Sequence, residues 1–203
     1  DDARCRKAAL QNQNQRDARR LQKGSAYPDG IYGVDQIVEP VRMRKSLGKD
    51  MNKEQLISAL VDIMGRDGVV DAPDELIVYE CDGLTIDRNT PHAVVLPTSV
   101  EQVSAVVKLL HQENIPFVAR GAGTGLSGGT LSPEGGVMIT LTRMNHIVEI
   151  DTKNQRALVE AGVVNLHLSK AVADKGYYFV PDPSSQYACT IGGNIAENSG
   201  GPH

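Results

Sequence analysis

The stretch Arg120-Gly121-Ala122-Gly123-Thr124-Gly125-Leu126-Ser127-Gly128-Gly129 decides how this chain is read. It follows Pro116-Phe117-Val118-Ala119, a short run with strand character, and leads through Thr130-Leu-Ser-Pro-Glu134 to Gly135-Gly136 and another strand-like run, Val137 to Leu141. Glycine at 121, 123, 125, 128 and 129 frees the backbone for positive φ and removes each Cβ that would keep a ligand away. Successive N–H groups can then converge on an anion as a nest, with Thr124 and Ser127 adding hydroxyl donors. Arg120 supplies the nearest positive charge, or else braces the loop through carbonyl contacts. Residues 123–128 satisfy GxGxxG, but the dinucleotide fingerprint requires a helix to open on the loop, and none is predicted here. The Walker pattern fails as well, because no Lys-Ser or Lys-Thr follows the glycines. Read alone, the loop is a phosphate site or a structural glycine turn.

The flanking sequence predicts an α+β fold. Ala93-Val94-Val95-Leu96, ended by Pro97, reads as a buried strand. Ser99 with Gln102 forms a capping box, and Val103, Val106, Val107 and Leu110 supply the next helix with a buried face. Residues 93–119 thus predict a β-α-β unit with a right-handed crossover. Asn52 and Gln55 form a second capping box ahead of the stripe Leu56, Ile57, Leu60, Val61, Met64. Ile147 to Asp151 and Ala157 to Ala161, on either side of a polar turn, predict an antiparallel hairpin, and a helix over 166–175 ends on Gly176.

A second cluster of small and polar residues closes the chain. Pro181-Asp182-Pro183-Ser184-Ser185 is followed by Thr190-Ile191-Gly192-Gly193-Asn194-Ile195-Ala196-Glu197-Asn198-Ser199-Gly200-Gly201. A packed core would want bulk there, so the run reads as loop. The two glycine-rich runs are two walls of one extended ligand site, or two unrelated turns.

Composition bounds the partners. The chain has 203 residues, 40% hydrophobic and 23% charged, enough for a core and for one domain or one and a half. A net charge of −4 removes the electrostatic footprint of a nucleic-acid binder. The basic excess is confined to residues 1–24, with seven Lys/Arg against three Asp. Residues 1–50 carry few large aliphatics and read as a basic, polar N-terminal extension, poorly ordered. Cys5, Cys81 and Cys189 are too widely spaced for a metal or redox pair, which points to a reducing compartment. No apolar run is long enough to span a bilayer, so the protein reads as cytoplasmic, at most peripheral to the inner face of a membrane.

Arg120 to Gly129, Pro181 to Ser185 and Thr190 to Gly201, taken in order, resemble the FAD-binding (PCMH-type) domain of the vanillyl-alcohol oxidase superfamily. Val78-Tyr-Glu-Cys-Asp-Gly83 and Leu96-Pro-Thr-Ser-Val100 fit its D-2-hydroxy-acid dehydrogenase branch, among glycolate oxidase D subunits and FAD-linked D-lactate dehydrogenases. The resemblance runs from about Met51 to His203 and implies that 51–203 is the N-terminal part of such a domain. It implies that Arg120 to Gly129 embraces the FAD pyrophosphate, with Pro97 near the adenine. Pro181, Asp182, Ser185, Thr190, Ile191, Gly192, Gly193, Asn194, Ala196, Asn198, Gly200 and Gly201 would line the ribityl chain and ring. Asn194 and Asn198 are ligands there or braces of their own loop.

None of the five histidines lies near the first loop, which implies dissociable, non-covalent FAD. The family's substrate arginine, catalytic histidine and divalent metal belong to later parts of such enzymes, so this segment by itself is expected to hold part of the FAD site without turning over. The implied reaction takes a small 2-hydroxy acid such as glycolate or D-lactate to a 2-oxo acid, with oxidase partner subunits hinted at. A non-catalytic flavin or nucleotide-binding module is the main rival. A second rival gives the basic N-terminal arm the functional role, binding RNA or an acidic partner.

Overall fold

Ala93-Val94-Val95 and Val137-Met138-Ile139-Thr140 are buried at every position, as strands are when both faces of their sheet are covered. The computed structural model describes residues 51–203, and the expectations for residues 1–50 lie outside them. In chain order the elements are α1 (Lys53–Met64), β1 (Val69–Val70), α2 (Pro73–Leu76), β2 (Ala93–Val95), α3 (Val100–Gln112), β3 (Phe117–Arg120), β4 (Val137–Thr140), β5 (Ile147–Asp151), β6 (Arg156–Val159), α4 (Asn165–Val172) and α5 (Ile191–Ala196).

The four-stranded sheet has the order β1-β2-β4-β3. β2 and β3 each pair with β4 in parallel, in register Val95 with Ile139 and Arg120 with Thr140, while β1 adds antiparallel to β2. The predicted β-α-β unit is present, but its two strands are not neighbours, because β4 lies between them. Alternation along the strands then sorts the core. Ala93, Val95, Val137 and Ile139 pack with Leu56, Leu60, Val106 and Leu110 of α1 and α3 on one face. Val94 and Met138 point the other way and pack with Leu76 of α2.

Both capping predictions can be checked. Asn52 Oδ1 accepts the Gln55 N–H at 2.9 Å and Gln55 Oε1 accepts the Asn52 N–H at 3.1 Å, a complete box. At α3 only half forms: Ser99 Oγ accepts the Gln102 N–H at 3.3 Å, while the Gln102 side chain turns to the Thr98 N–H at 2.8 Å. The β5–β6 hairpin is antiparallel as expected, with a register irregularity between Ile147 and Glu149. Val163, Leu168, Val172 and Ile191 pack with its Ile147, Ile150 and Val159 as a separate cluster. After Val172 a single tighter turn, Ala173–Lys175, carries the chain to Gly176 at φ 78°, where a left-handed residue ends the helix.

Candidate functional site

Arg120 and Thr140 sit side by side at the carboxyl ends of parallel β3 and β4, the edge of an open parallel sheet where ligands bind. No helix opens between Arg120 and Val137, as the sequence indicated. Gly123 at φ 70° and Gly128 at φ 72° interrupt the loop with the left-handed residues a nest requires. The Arg120 side chain is turned inward. Its Nη1 donates to the Cys81 carbonyl at 2.9 Å and to Thr130 Oγ1 at 3.3 Å, and its guanidinium stands 5.9 Å from the centre of the Tyr79 ring. A Cβ on Gly123 would overlap that guanidinium. Burial pulls the Arg120 pKa below the ordinary arginine value, and the nearby Asp82 carboxylate opposes this. In this geometry Arg120 braces the loop.

Sequence reasoning did not single out Asp82. It is buried, and its Oδ2 accepts the Gly128 N–H at 2.9 Å while Oδ1 accepts the Leu84 N–H at 2.9 Å. The phrase Glu80-Cys81-Asp82-Gly83 was visible as a family signature, but a lone aspartate so far from its partner carries no local signal.

The second glycine run departs from expectation. Residues 191–196, read as loop, form the short helix α5, with Thr190 as N-cap: its Oγ1 accepts the Gly193 N–H at 3.2 Å. Gly192 is needed for close approach, since a Cβ there would stand 2.9 Å from the Ala161 Cβ and carbonyl oxygen. The Asn194 side chain is buried, accepting from Asn165 Nδ2 at 3.0 Å and donating to Ser199 Oγ at 3.3 Å. Asn165 Nδ2 also donates to the Pro181 carbonyl at 3.0 Å, so one amide ties α4, α5 and the Pro181 segment together. The Asp182 N–H donates to the Gly200 carbonyl at 2.8 Å, and the Asp182 carboxylate holds His203 Nδ1 at 2.8 Å. The Ser185 carbonyl accepts from the Ala188 and Cys189 N–H groups. The Pro97 and Ile191 side chains are buried, whereas Ala122, Leu126, Ser127, Gly129, Ala196, Asn198, Gly200 and Gly201 are exposed.

The two runs meet. A Cβ on Gly121 would overlap the Thr190 hydroxyl, and one on Gly129 would stand 2.6 Å from Glu197 Oε1. A cavity of 1040 Å³ opens beside the second run, between the hairpin, Tyr177 to Pro181 and the Asn194–Ile195 side of α5, and the first glycine loop lines none of it. Among the described residues no group of three or more His, Cys, Asp or Glu is placed to hold a metal, and no helix is long and apolar enough to cross a membrane.

Residues 91–203 match the family of FAD binding domains. The chain belongs to that family. It is 46% identical over 154 residues to the glycolate oxidase subunit GlcD of Escherichia coli, covering 76% of this chain and 31% of that protein. It is 41% identical over 128 residues to a D-lactate dehydrogenase of Anaerostipes hadrus, covering 63% and 25%. Among solved structures, an alkyldihydroxyacetonephosphate synthase superposes with a TM-score of 0.64 at 26% identity, over 73% of this chain and 32% of that one. The chain thus spans no more than about a third of the length of these relatives. The α+β fold is that of the vanillyl-alcohol oxidase FAD-binding proteins, and the family's cofactor is FAD. Gly125 has open space where a Cβ would stand, with only Asp82 Oδ2 approaching, at 3.9 Å, which leaves room for a ligand such as the family's cofactor beside the loop.

Proposed function

We propose that this chain supplies part of the FAD site of an FAD-dependent D-2-hydroxy-acid oxidoreductase whose substrate is glycolate or D-lactate. The observation that carries it is the contact of the two glycine runs, Gly121 against Thr190 and Gly129 against Glu197, within a member of the FAD-binding family. In this reading the N–H groups of the 121–127 stretch, with the Thr124 and Ser127 hydroxyls, hold the pyrophosphate, and the Pro181 to Ser185 and Thr190 to Gly201 segments flank the rest of the cofactor. Bound FAD supplies the hydride acceptor for conversion of the hydroxy acid to a 2-oxo acid. The protein's segments exclude water from the cofactor and fix its orientation. Relatives named as glycolate oxidase subunits support association with further oxidase subunits.

Titration of the 203-residue chain with FAD, followed by flavin fluorescence, tests the binding step. Gly125→Ala is the informative control, because its Cβ meets no protein atom closer than 3.9 Å and so adds bulk beside the ligand without a clash in the loop. Saturable binding weakened in Gly125→Ala is expected, and equal binding by the variant refutes the loop's role. Bleaching of the flavin absorbance of the native protein by glycolate or D-lactate separates an oxidoreductase from a non-catalytic flavin module.

A further inference from the structure

The glycine loop poses a problem that its own residues do not solve. A segment with five glycines loses more conformational entropy on ordering than any other composition, and no helix follows to hold it in shape. The Cys81-Asp82-Gly83 turn supplies the missing support at three points. At the loop's start, the Cys81 carbonyl accepts from Arg120 Nη1 at 2.9 Å. In its middle, Gly83 lies so close that a Cβ would stand 3.1 Å from the Thr124 carbonyl oxygen and 2.9 Å from that of Gly125. At its end, Asp82 Oδ2 accepts the Gly128 N–H at 2.9 Å.

We propose that Asp82 is a positioning residue for the cofactor: by accepting the Gly128 N–H it presets the glycine loop in the conformation that binds FAD phosphates. This rests on the FAD reading above. Asp82 is only 6% exposed and its second oxygen is engaged by the Leu84 N–H, so its orientation is fixed. A charge-assisted hydrogen bond donated to a fixed carboxylate is stronger than a neutral one. Ordering a loop before the ligand arrives raises affinity by removing that cost from binding. The opposing role, a carboxylate occupying an anion site until phosphate displaces it, conflicts with this burial and with the bond to Leu84.

The test is FAD titration of the full chain as wild type, Asp82→Ala, Asp82→Asn and Val106→Ala, with thermal melts of each. Val106 is fully buried in the core between α1, α3 and the sheet, a cluster that includes no residue of the loop, so its truncation is a control for lowered stability. Asp82→Ala is expected to weaken FAD binding by about tenfold or more. Asp82→Asn, whose amide oxygen can still accept the Gly128 N–H, recovers part of the loss. Val106→Ala keeps wild-type affinity despite its lower melting temperature. Unchanged FAD affinity in Asp82→Ala overturns the inference, and tighter binding overturns it in favour of an anion placeholder. Where Asp82→Ala does not fold, Asp82→Asn and Gly83→Ala carry the comparison, and wild-type affinity in both overturns it. A folded wild type that ignores FAD removes the flavin reading and this inference together, an outcome distinct from wild-type binding that the variants match.

Discussion

The contact between the two glycine runs can be measured by pairing Gly121→Ala with Thr190→Ala. A Cβ on Gly121 overlaps the Thr190 hydroxyl, which is also the oxygen that caps α5 through the Gly193 N–H at 3.2 Å. Thr190 is 2% exposed, so it cannot swing into solvent without opening the packing around it. Gly121→Ala therefore overpacks the junction, at about 1–3 kcal/mol. Thr190→Ala removes the cap and costs about 1–2 kcal/mol. In the double variant the overlap is gone, because position 190 then keeps only its Cβ, which stands 3.5 Å from the new methyl, an ordinary contact. The double variant should be destabilised by about as much as Thr190→Ala alone, a coupling of roughly 1 kcal/mol or more. Urea unfolding followed by circular dichroism yields all four free energies. Strictly additive costs refute the claim that these walls touch.

Two further outcomes follow from the structure. Asn52→Ala removes the side-chain acceptor of the α1 capping box, leaving the Gln55 N–H without Asn52 Oδ1, and should lower stability by about 1 kcal/mol, read from the urea midpoint at unchanged slope. The Asp182 carboxyl is held below the ordinary aspartate range, chiefly by its hydrogen bond to His203 and against partial desolvation. A carboxyl with a lowered folded pKa contributes stability that is present above its unfolded value, about 4, and is lost as pH falls through the folded one. Melting temperature should therefore drop below about pH 4, with a shallower drop in Asp182→Asn, and identical acid profiles would refute the pairing.

Much of the fold was legible because its signals are local. The apolar runs at 93–95 and 137–140, the Asn52 box and the left-handed stop at Gly176 each declare themselves within a few residues. What escaped depends on tertiary contact. β1 is two residues long and exists by pairing with Val94 and Val95. The insertion of β4 between β2 and β3 leaves no trace in periodicity, since any order of parallel strands needs the same apolar runs. α5 was hidden because each of Gly192 and Gly193 lowers helix propensity by about 1 kcal/mol relative to alanine, and the Thr190 cap together with packing of Ile191 against the hairpin core overrides that.

The same tertiary contacts decide which groups remain for a ligand. Arg120, Asp82, Asn165, Asn194 and the Thr190 hydroxyl, the side chains a sequence reader would first assign to a bound molecule or overlook, are engaged with protein atoms. What stays accessible on the first wall is backbone from Gly121 to Ser127, with the Thr124 and Ser127 hydroxyls and the exposed Leu126. Recognition by backbone N–H groups is insensitive to losing one hydroxyl but intolerant of an added Cβ, because a methyl at a glycine blocks several donors at once. Glycine in this loop therefore serves packing as well as access: Gly121, Gly123 and Gly129 lie against Thr190, Arg120 and Glu197, Gly125 faces open space, and the buried polar side chains behind the loop keep its backbone in one shape.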